Sequence, residues 1–190
     1  MPRAETMLLP YLAVPAPSGL SLSLSLSLSL SLSLSPLSQL SHQGSPFSDP
    51  GFSSSKVQYK GVPTASIPFL KWRTLSDTER LDKNYEAYTI LSEFLQLVWD
   101  DQFHISDGKD ELLEMLRVTR LRIQGLLSNL TSIMTALGVP PTPVADLLTP
   151  EVIEATTFEK KIRGYVVCDS YRQWVERTGS GAGGNAGAAS

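Results

Sequence analysis

The sequence has little of what catalytic, metal-binding and disulfide-stabilised proteins depend on. Among its 190 residues there are one cysteine, Cys168, and two histidines, His42 and His104. A single cysteine excludes an internal disulfide, and this composition leaves no cysteine-rich zinc module and no paired-histidine metal site. No nucleophile, base and orienting residue can be recognised as a set. We therefore expect a protein that is not an enzyme and that uses no cofactor and no metal.

An excess of positive charge and a long apolar run are also missing. Lys and Arg total 16 against 19 Asp and Glu, which gives a net charge of −3. A sequence-independent nucleic-acid binder needs a positive field to release counterions from phosphate, so this class is excluded. No apolar run reaches the length of about 18 residues that a membrane span needs. We expect no nucleic-acid partner and no insertion into a membrane.

Both ends of the chain have a composition that does not build a core. Leu and Ser alternate without interruption from Leu20 to Ser35. We interpret residues 1–40 as a low-complexity Leu/Ser-rich segment, either disordered or an artefact in which a CT repeat is read as coding sequence. Residues 179–190 contain only Gly, Ala, Ser and Asn. They are predicted to form a flexible tail.

The first strong helix signal follows a long, proline-containing connection. Residues 41–75 are predicted to be a loop, because prolines, glycines and serines recur along them. The large apolar side chains of this loop, Trp72 among them, indicate a segment that is strapped across a core. Ser76 and Glu79 then form a capping box, in which each side chain can bond the backbone N–H of the other residue. The helix that they open is predicted over residues 76–101.

Two further helices are predicted in the second half of the chain. One covers residues 109–137 and ends where Gly138 offers a C-cap glycine. The other covers residues 156–178 and is opened by a second capping box, formed by Thr156 and Glu159.

Together these elements predict an all-α antiparallel bundle over residues 41–178. A bundle of this size normally has four helices. The first helix should precede Ser45, at the place that the Leu/Ser-rich segment occupies.

Several of these residues carry a family resemblance that covers about residues 41–178. The segment Trp72–Leu81, WRTLSDTERL, resembles the entry into the second helix of ciliary neurotrophic factor. Phe158–Lys161, FEKK, resembles the start of that protein's fourth helix, and Phe47–Phe52, FSDPGF, is closer to the cardiotrophins. On these motifs the chain is identified as a member of the interleukin-6-type cytokine family, with an aberrant N-terminus.

The resemblance implies a long-chain four-helix cytokine bundle of up-up-down-down topology, with the first helix largely missing from this chain. Such a neurotrophic ligand is secreted or released and acts outside the cell by bringing receptor chains together. The chains implied are ciliary neurotrophic factor receptor alpha, leukaemia inhibitory factor receptor and glycoprotein 130, whose assembly starts kinase signalling. A cytoplasmic pool with release by a non-standard route is a further expectation. The rival hypothesis is an intracellular helical scaffold that binds a partner through an amphipathic face.

The residues of the expected receptor-binding site are Phe158, Lys161 and Trp72. Phe158 and Lys161 lie three residues apart, on one side of the first helical turn. By residue type alone, the favoured interpretation is that Phe158 is a core residue and Lys161 a solvated charge; the family resemblance reverses this preference. The Phe-x-x-Lys motif of the family implies contact with leukaemia inhibitory factor receptor. Trp72 corresponds to a position at the receptor-facing end of the bundle in the family.

Two other features favour plain interpretations. Cys168 lies on the inner side of the last predicted helix, where a thiol usually serves as a small apolar group. Asn129, Leu130 and Thr131 form an N-glycosylation acceptor sequence. Its position in the middle of a predicted helix argues against occupancy. So does the leader-like stretch Met7–Val14, whose apolar part is short and contains Pro10.

Overall fold

The computed structural model describes residues 57–106 and 111–180, together with Ser45, Phe47 and Asp49. The predicted Leu/Ser-rich segment, the place expected for the first helix and residues 181–190 of the predicted tail lie outside the described residues. Within the described part, the regular structure is entirely helical. Its helices are α1 (Phe69–Thr74), α2 (Asp77–Ile105), α3 (Glu111–Ala136), α4 (Pro150–Ile153) and α5 (Thr157–Ser180). None of them is both long enough and apolar enough to cross a bilayer.

Helix α2 begins at the predicted capping box. The Glu79 backbone N–H donates to Ser76 Oγ at 3.2 Å, and the Ser76 N–H donates to Glu79 Oε2 at 2.8 Å. These bonds satisfy two of the N–H groups that have no partner inside a helix. The helix runs four residues beyond the predicted end at residue 101. The extra turn is supported by Phe103, whose ring stacks on Trp99 with the centroids 5.4 Å apart.

Helix α3 ends as predicted, at a glycine in the left-handed conformation. Gly138 has φ of 68°. Its N–H donates to the Thr135 carbonyl at 3.0 Å, and the Val139 N–H donates to the Met134 carbonyl at 2.9 Å. This pair of bonds is the Schellman arrangement, which satisfies the last carbonyls of the helix.

Two short helices lie where the sequence predicts only connections. Helix α1 interrupts the predicted loop 41–75, so the prediction of a loop is wrong for Phe69–Thr74. The prediction of a flexible tail over residues 179–190 is likewise wrong for residues 179 and 180, which belong to α5. The first turn of α1 closes when the Trp72 N–H donates to the Pro68 carbonyl at 2.9 Å. The burial of Trp72 in the core accounts for this turn. The sequence contains no capping motif that would predict it. Helix α4 lies in the crossover between α3 and α5, and Pro150 occupies its first turn.

Helix α2 packs between α3 and α5 and is antiparallel to both. Trp99, near the end of α2, donates from Nε1 to the Leu113 carbonyl at the start of α3, at 3.1 Å. The Tyr88 hydroxyl of α2 lies 3.0 Å from Thr178 Oγ1, near the end of α5. Helices α3 and α5 therefore run in the same direction and need a long crossover between them. This is the arrangement expected for the last three helices of an up-up-down-down bundle, and it confirms the predicted all-α class.

The core lies between the three long helices. Its buried apolar side chains come mainly from these three helices. They include Tyr88, Leu91, Leu95 and Val98 from α2, Leu112, Leu116, Ile123, Leu126 and Leu130 from α3, and Val167, Cys168, Tyr171 and Trp174 from α5. Cys168 is buried among them as the small apolar group that the sequence predicts.

The connection that precedes α1, residues 57–68, packs along α5, and we call it the strap. The sequence predicts a loop strapped across the core but not the helix that it contacts. Ser170 Oγ donates to the Pro63 carbonyl, and Arg177 Nη2 donates to the Ala65 carbonyl at 2.9 Å. Gly61, with φ of 88°, lets this strap approach α2 closely, since a Cβ there would lie 3.3 Å from Cζ of Phe94. Side chains of α5 thus satisfy carbonyls of a segment that has few regular backbone bonds of its own.

We expect the buried Tyr88 hydroxyl to make stability fall at alkaline pH. Burial raises the pKa of Tyr88 above its ordinary value of 10.0. In the unfolded chain this phenol ionises from about pH 10, whereas in the folded protein it stays protonated, so folding stability is lost as the pH rises. Tyr88→Phe should flatten this alkaline decline while costing about 0.5–1.5 kcal/mol at neutral pH through the lost hydrogen bond. Urea unfolding of both proteins across the alkaline range tests this, and parallel pH profiles would contradict it.

Candidate receptor-binding site

The start of α5 is fixed by the second predicted capping box. The Thr156 N–H and hydroxyl donate to Glu159 Oε2 at 2.8 and 2.7 Å, and the Glu159 N–H donates to Thr156 Oγ1 at 3.3 Å. The bond from the Thr156 hydroxyl, followed by that from its N–H and the charge of Arg163, holds the pKa of Glu159 below its usual value. A carboxylate in the first turn also complements the positive end of the helix dipole. The backbone of the first turn of α5 is therefore held in a defined conformation.

Phe158 lies in this first turn of α5, and its side chain projects into solvent. Its side chain is 57 % exposed, although its ring centroid lies 6.0 Å from that of Phe47, which is only 2 % exposed. Phe47 therefore supports one side of the Phe158 ring. The exposure rules out the alternative in which Phe158 is a core residue.

Lys161 follows Phe158 by three residues, on the same side of α5, and is partly buried. The structure therefore brings Phe158 and Lys161 together at one end of the bundle. Their contact with a receptor stays a prediction.

Trp72 lies elsewhere and is buried. It is 1 % exposed, and its ring meets that of Trp174 edge to face, with the centroids 6.1 Å apart. The Arg177 guanidinium lies 5.9 Å from the centre of the Trp72 ring, a cation–π arrangement. Because Trp174 is 16 residues after Phe158, Trp72 is about 24 Å along α5 from Phe158. In this structure Trp72 is a core residue that holds α1 in place, which leaves it no surface for direct receptor contact.

A buried ion pair, which no local sequence pattern indicates, lies beneath the end of the bundle that carries Phe158. Arg163 is 0 % exposed, and its Nε donates to Asp101 Oδ2 at 2.9 Å, with Nη2 donating to the same oxygen. Its Nη1 donates to the Tyr59 hydroxyl at 3.2 Å and to the Val152 carbonyl. Lys160 Nζ lies 3.5 Å from Asp101 Oδ1. One guanidinium thus joins α2, the strap, α4 and α5.

Some of the exposed large apolar side chains lie on the segments that Arg163 joins, while others, such as Leu70 and Leu121, lie elsewhere. Phe103 and Ile105 follow Asp101 at the end of α2, and Ile153 follows Val152 in α4. With Phe158 they place four large apolar groups at the same end of the bundle. Protein interfaces are commonly anchored by a few aromatic and apolar groups beside a cation. We call Phe103, Ile105, Ile153, Phe158 and Lys161 the end surface.

Known proteins resemble this chain over most of its length. A profile of the family described as "Plethodontid receptivity factor PRF" matches residues 26–180. Cardiotrophin-2 of Mus musculus is 46 % identical over 138 residues, which is 73 % of this chain and 68 % of that protein. The chain belongs to this family, among the interleukin-6-type cytokines. Cardiotrophin-1 of Mus musculus is 30 % identical over 143 residues, which is 72 % of this chain and 68 % of that protein.

A more distant relative points the same way. Ciliary neurotrophic factor of Sus scrofa is 31 % identical over 121 residues, which is 62 % of this chain and 59 % of that protein. No solved structure matches the chain significantly. The protein is thus a cytokine, not an enzyme, and its partners are cytokine receptors outside the cell. This finding favours the cytokine hypothesis over the intracellular scaffold.

We expect the Asp101–Arg163 pair to matter for stability mainly when one partner is removed. Arg163→Met leaves a buried carboxylate that faces only Lys160, and breaking such a pair typically costs about 3–5 kcal/mol. The double variant Asp101→Leu/Arg163→Met should recover much of this loss, because an apolar pair of similar volume needs no solvation. Urea unfolding of the single and double variants measures both effects.

Arg117→Met is the matched control for this experiment. It removes an exposed ion pair, in which Arg117 Nη2 lies 2.7 Å from Glu114 Oε1. Exposed pairs contribute little, so the free energy of unfolding should hardly change. Equal losses in Arg117→Met and Arg163→Met would contradict the role given to burial.

Proposed function

We propose that this cytokine binds leukaemia inhibitory factor receptor through the end surface, with Phe158 as the apolar anchor and Lys161 as the neighbouring cation. The observation that carries the proposal is the exposure of Phe158 in a capped first turn, with Lys161 on the same side of the helix. If Phe158 were buried, a receptor could not contact the side chain of the first residue of this motif. The resemblance of Phe158–Lys161 to the Phe-x-x-Lys motif of the family supports the choice of receptor.

The local structure favours tight binding at this place. Association is costly where loops and side chains must be ordered at the interface. The capping box at Thr156 and Glu159 and the packing of Phe158 on Phe47 order this surface before binding. The buried Phe47 ring, which lies against the Phe158 ring, excludes water from one side of the anchor.

A ligand without an active site signals by holding receptor chains near one another. We propose that ciliary neurotrophic factor receptor alpha and glycoprotein 130 complete the assembly with leukaemia inhibitory factor receptor, and that receptor-associated kinases are then activated. Trp72 enters this proposal as a residue that positions α1, since its own side chain is buried. A cytoplasmic pool with non-standard release stays a prediction.

The test is the double variant Phe158→Ala/Lys161→Ala. Loss of a hot-spot side chain costs about 2 kcal/mol or more, so the affinity for the leukaemia inhibitory factor receptor ectodomain should fall at least about 30-fold. Because Phe158 is more than half exposed and Lys161 is only partly buried, each substitution should change the free energy of unfolding by less than about 0.5 kcal/mol. Surface plasmon resonance with the purified ectodomain measures the first effect, and urea unfolding measures the second.

The matched control is Leu137→Ala/Lys83→Ala. Leu137 is exposed after α3, and Lys83 is partly buried on α2, so the pair repeats the chemistry of the test away from the end surface. Control and wild-type protein should bind the ectodomain equally well. Undiminished binding by Phe158→Ala/Lys161→Ala, with the fold intact, would show that the receptor uses another surface.

A further inference from the structure

We propose that Asn129 of α3 is a site of N-linked glycosylation. Asn129, Leu130 and Thr131 form the acceptor sequence, and the chain contains two other asparagines, Asn84 and Asn185, neither of which is followed by Ser or Thr at the required position. In the structure Asn129 and Thr131 are both exposed, whereas Leu130 between them is buried in the core. Asn129 and Thr131 therefore face solvent, while Leu130 between them packs in the core and holds the helix against the bundle.

The position in the middle of a helix does not prevent modification. Glycans are transferred in the secretory pathway to chains that have not finished folding, and the finished surface then has to accommodate the sugar. The neighbours of Asn129 one turn away along the helix include Gly125 and Ser132, which are small and exposed. A Cβ at Gly125 would meet no atom within 4 Å. The folded surface therefore has open space beside the acceptor.

The part of α3 around Asn129 also lacks the charges that normally keep an exposed helix face soluble. No Asp, Glu, Lys or Arg occurs in residues 123–145. The hydroxyls on this face are engaged by the backbone, since Thr131, Ser132 and Thr135 donate to carbonyls one turn earlier at 2.8, 2.9 and 2.8 Å. A glycan at the centre of the face would supply the hydrated surface that the side chains do not.

The glycan would lie far from the end surface. Helix α3 begins beside the end of α2, where Asp101 and Phe103 lie, and Asn129 follows Glu111 by 18 residues. At about 1.5 Å per residue this is about 27 Å along the helix. The modification therefore leaves the proposed receptor contact open, and it does not depend on which receptor binds there.

The reaction needs a lipid-diphosphate-linked oligosaccharide as the donor. The Asn129 carboxamide nitrogen forms a bond to C1 of the first sugar, and the bond from C1 to the phosphate oxygen breaks. The lipid diphosphate leaves with the electron pair of that bond, and the carboxamide loses one proton. Thr131 completes the acceptor sequence, so replacing it should abolish transfer even though Asn129 remains.

The experiment is secretion of the full 190-residue chain, behind a cleavable secretion signal, from mammalian cells. Treatment with peptide N-glycanase should increase the gel mobility of the secreted protein. It should also convert Asn129 to aspartate, which mass spectrometry detects in the tryptic peptide of residues 123–160. Both signals should be absent from Asn129→Gln and from Thr131→Ala.

Ser132→Ala is the matched control, because it removes the same kind of hydroxyl-to-carbonyl bond as Thr131→Ala but leaves the acceptor sequence intact. Its secreted form should keep the mobility change. An unmodified Asn129 in the secreted wild-type protein would overturn the proposal. A mobility change that persists in Asn129→Gln would overturn it as well.

Discussion

The end of the bundle that carries Phe158 depends on one buried guanidinium. Arg163 has no contact with solvent, so each of its N–H groups needs a partner within the protein. Those partners are Asp101 on α2, Tyr59 on the strap and the Val152 carbonyl in α4. Since the geometry of a guanidinium is rigid and planar, it fixes the relative positions of the groups that it binds. Three segments that are distant in sequence are thereby held against the start of α5.

The Asp101–Arg163 pair contributes more to the positions of the segments that it joins than to the free energy of unfolding. Two apolar residues of similar volume are often at least as stable as a buried ion pair, because they avoid the desolvation of two charges. An apolar pair would not, however, bind the Val152 carbonyl or the Tyr59 hydroxyl. The hydrogen bonds of Arg163 keep α4, with the exposed Ile153, in register with α5, and the end surface thereby has a defined shape. Arg163 follows Phe158 by five residues on α5. The buried hydrogen bonds of Arg163 therefore also set the position of the exposed Phe158.

The sequence predicted those features whose causes are local. Capping boxes span four residues, and the glycine at the end of α3 acts on the turn that precedes it, so the starts of α2 and α5 and the end of α3 agree with the structure. The features that were missed arise from contacts between distant residues. Asp101 and Arg163 are 62 residues apart, and an arginine within a helical pattern looks like a solvated charge. Helix α1 likewise exists because Trp72 finds Trp174 in the folded core.

Helix α5 combines two tasks that constrain one another. Its outer first turn carries Phe158 and Lys161, while its inner side chains bind the strap at successive levels, from Arg163 with Tyr59 to Arg177 with the Ala65 carbonyl. The strap satisfies carbonyls through these side chains instead of a regular ladder of its own. A shift of α5 along its axis would therefore break several of these bonds together. Sliding or turning α5 to fit a partner would therefore cost several hydrogen bonds, which favours partners that accept Phe158 and Lys161 in the orientation that the strap imposes.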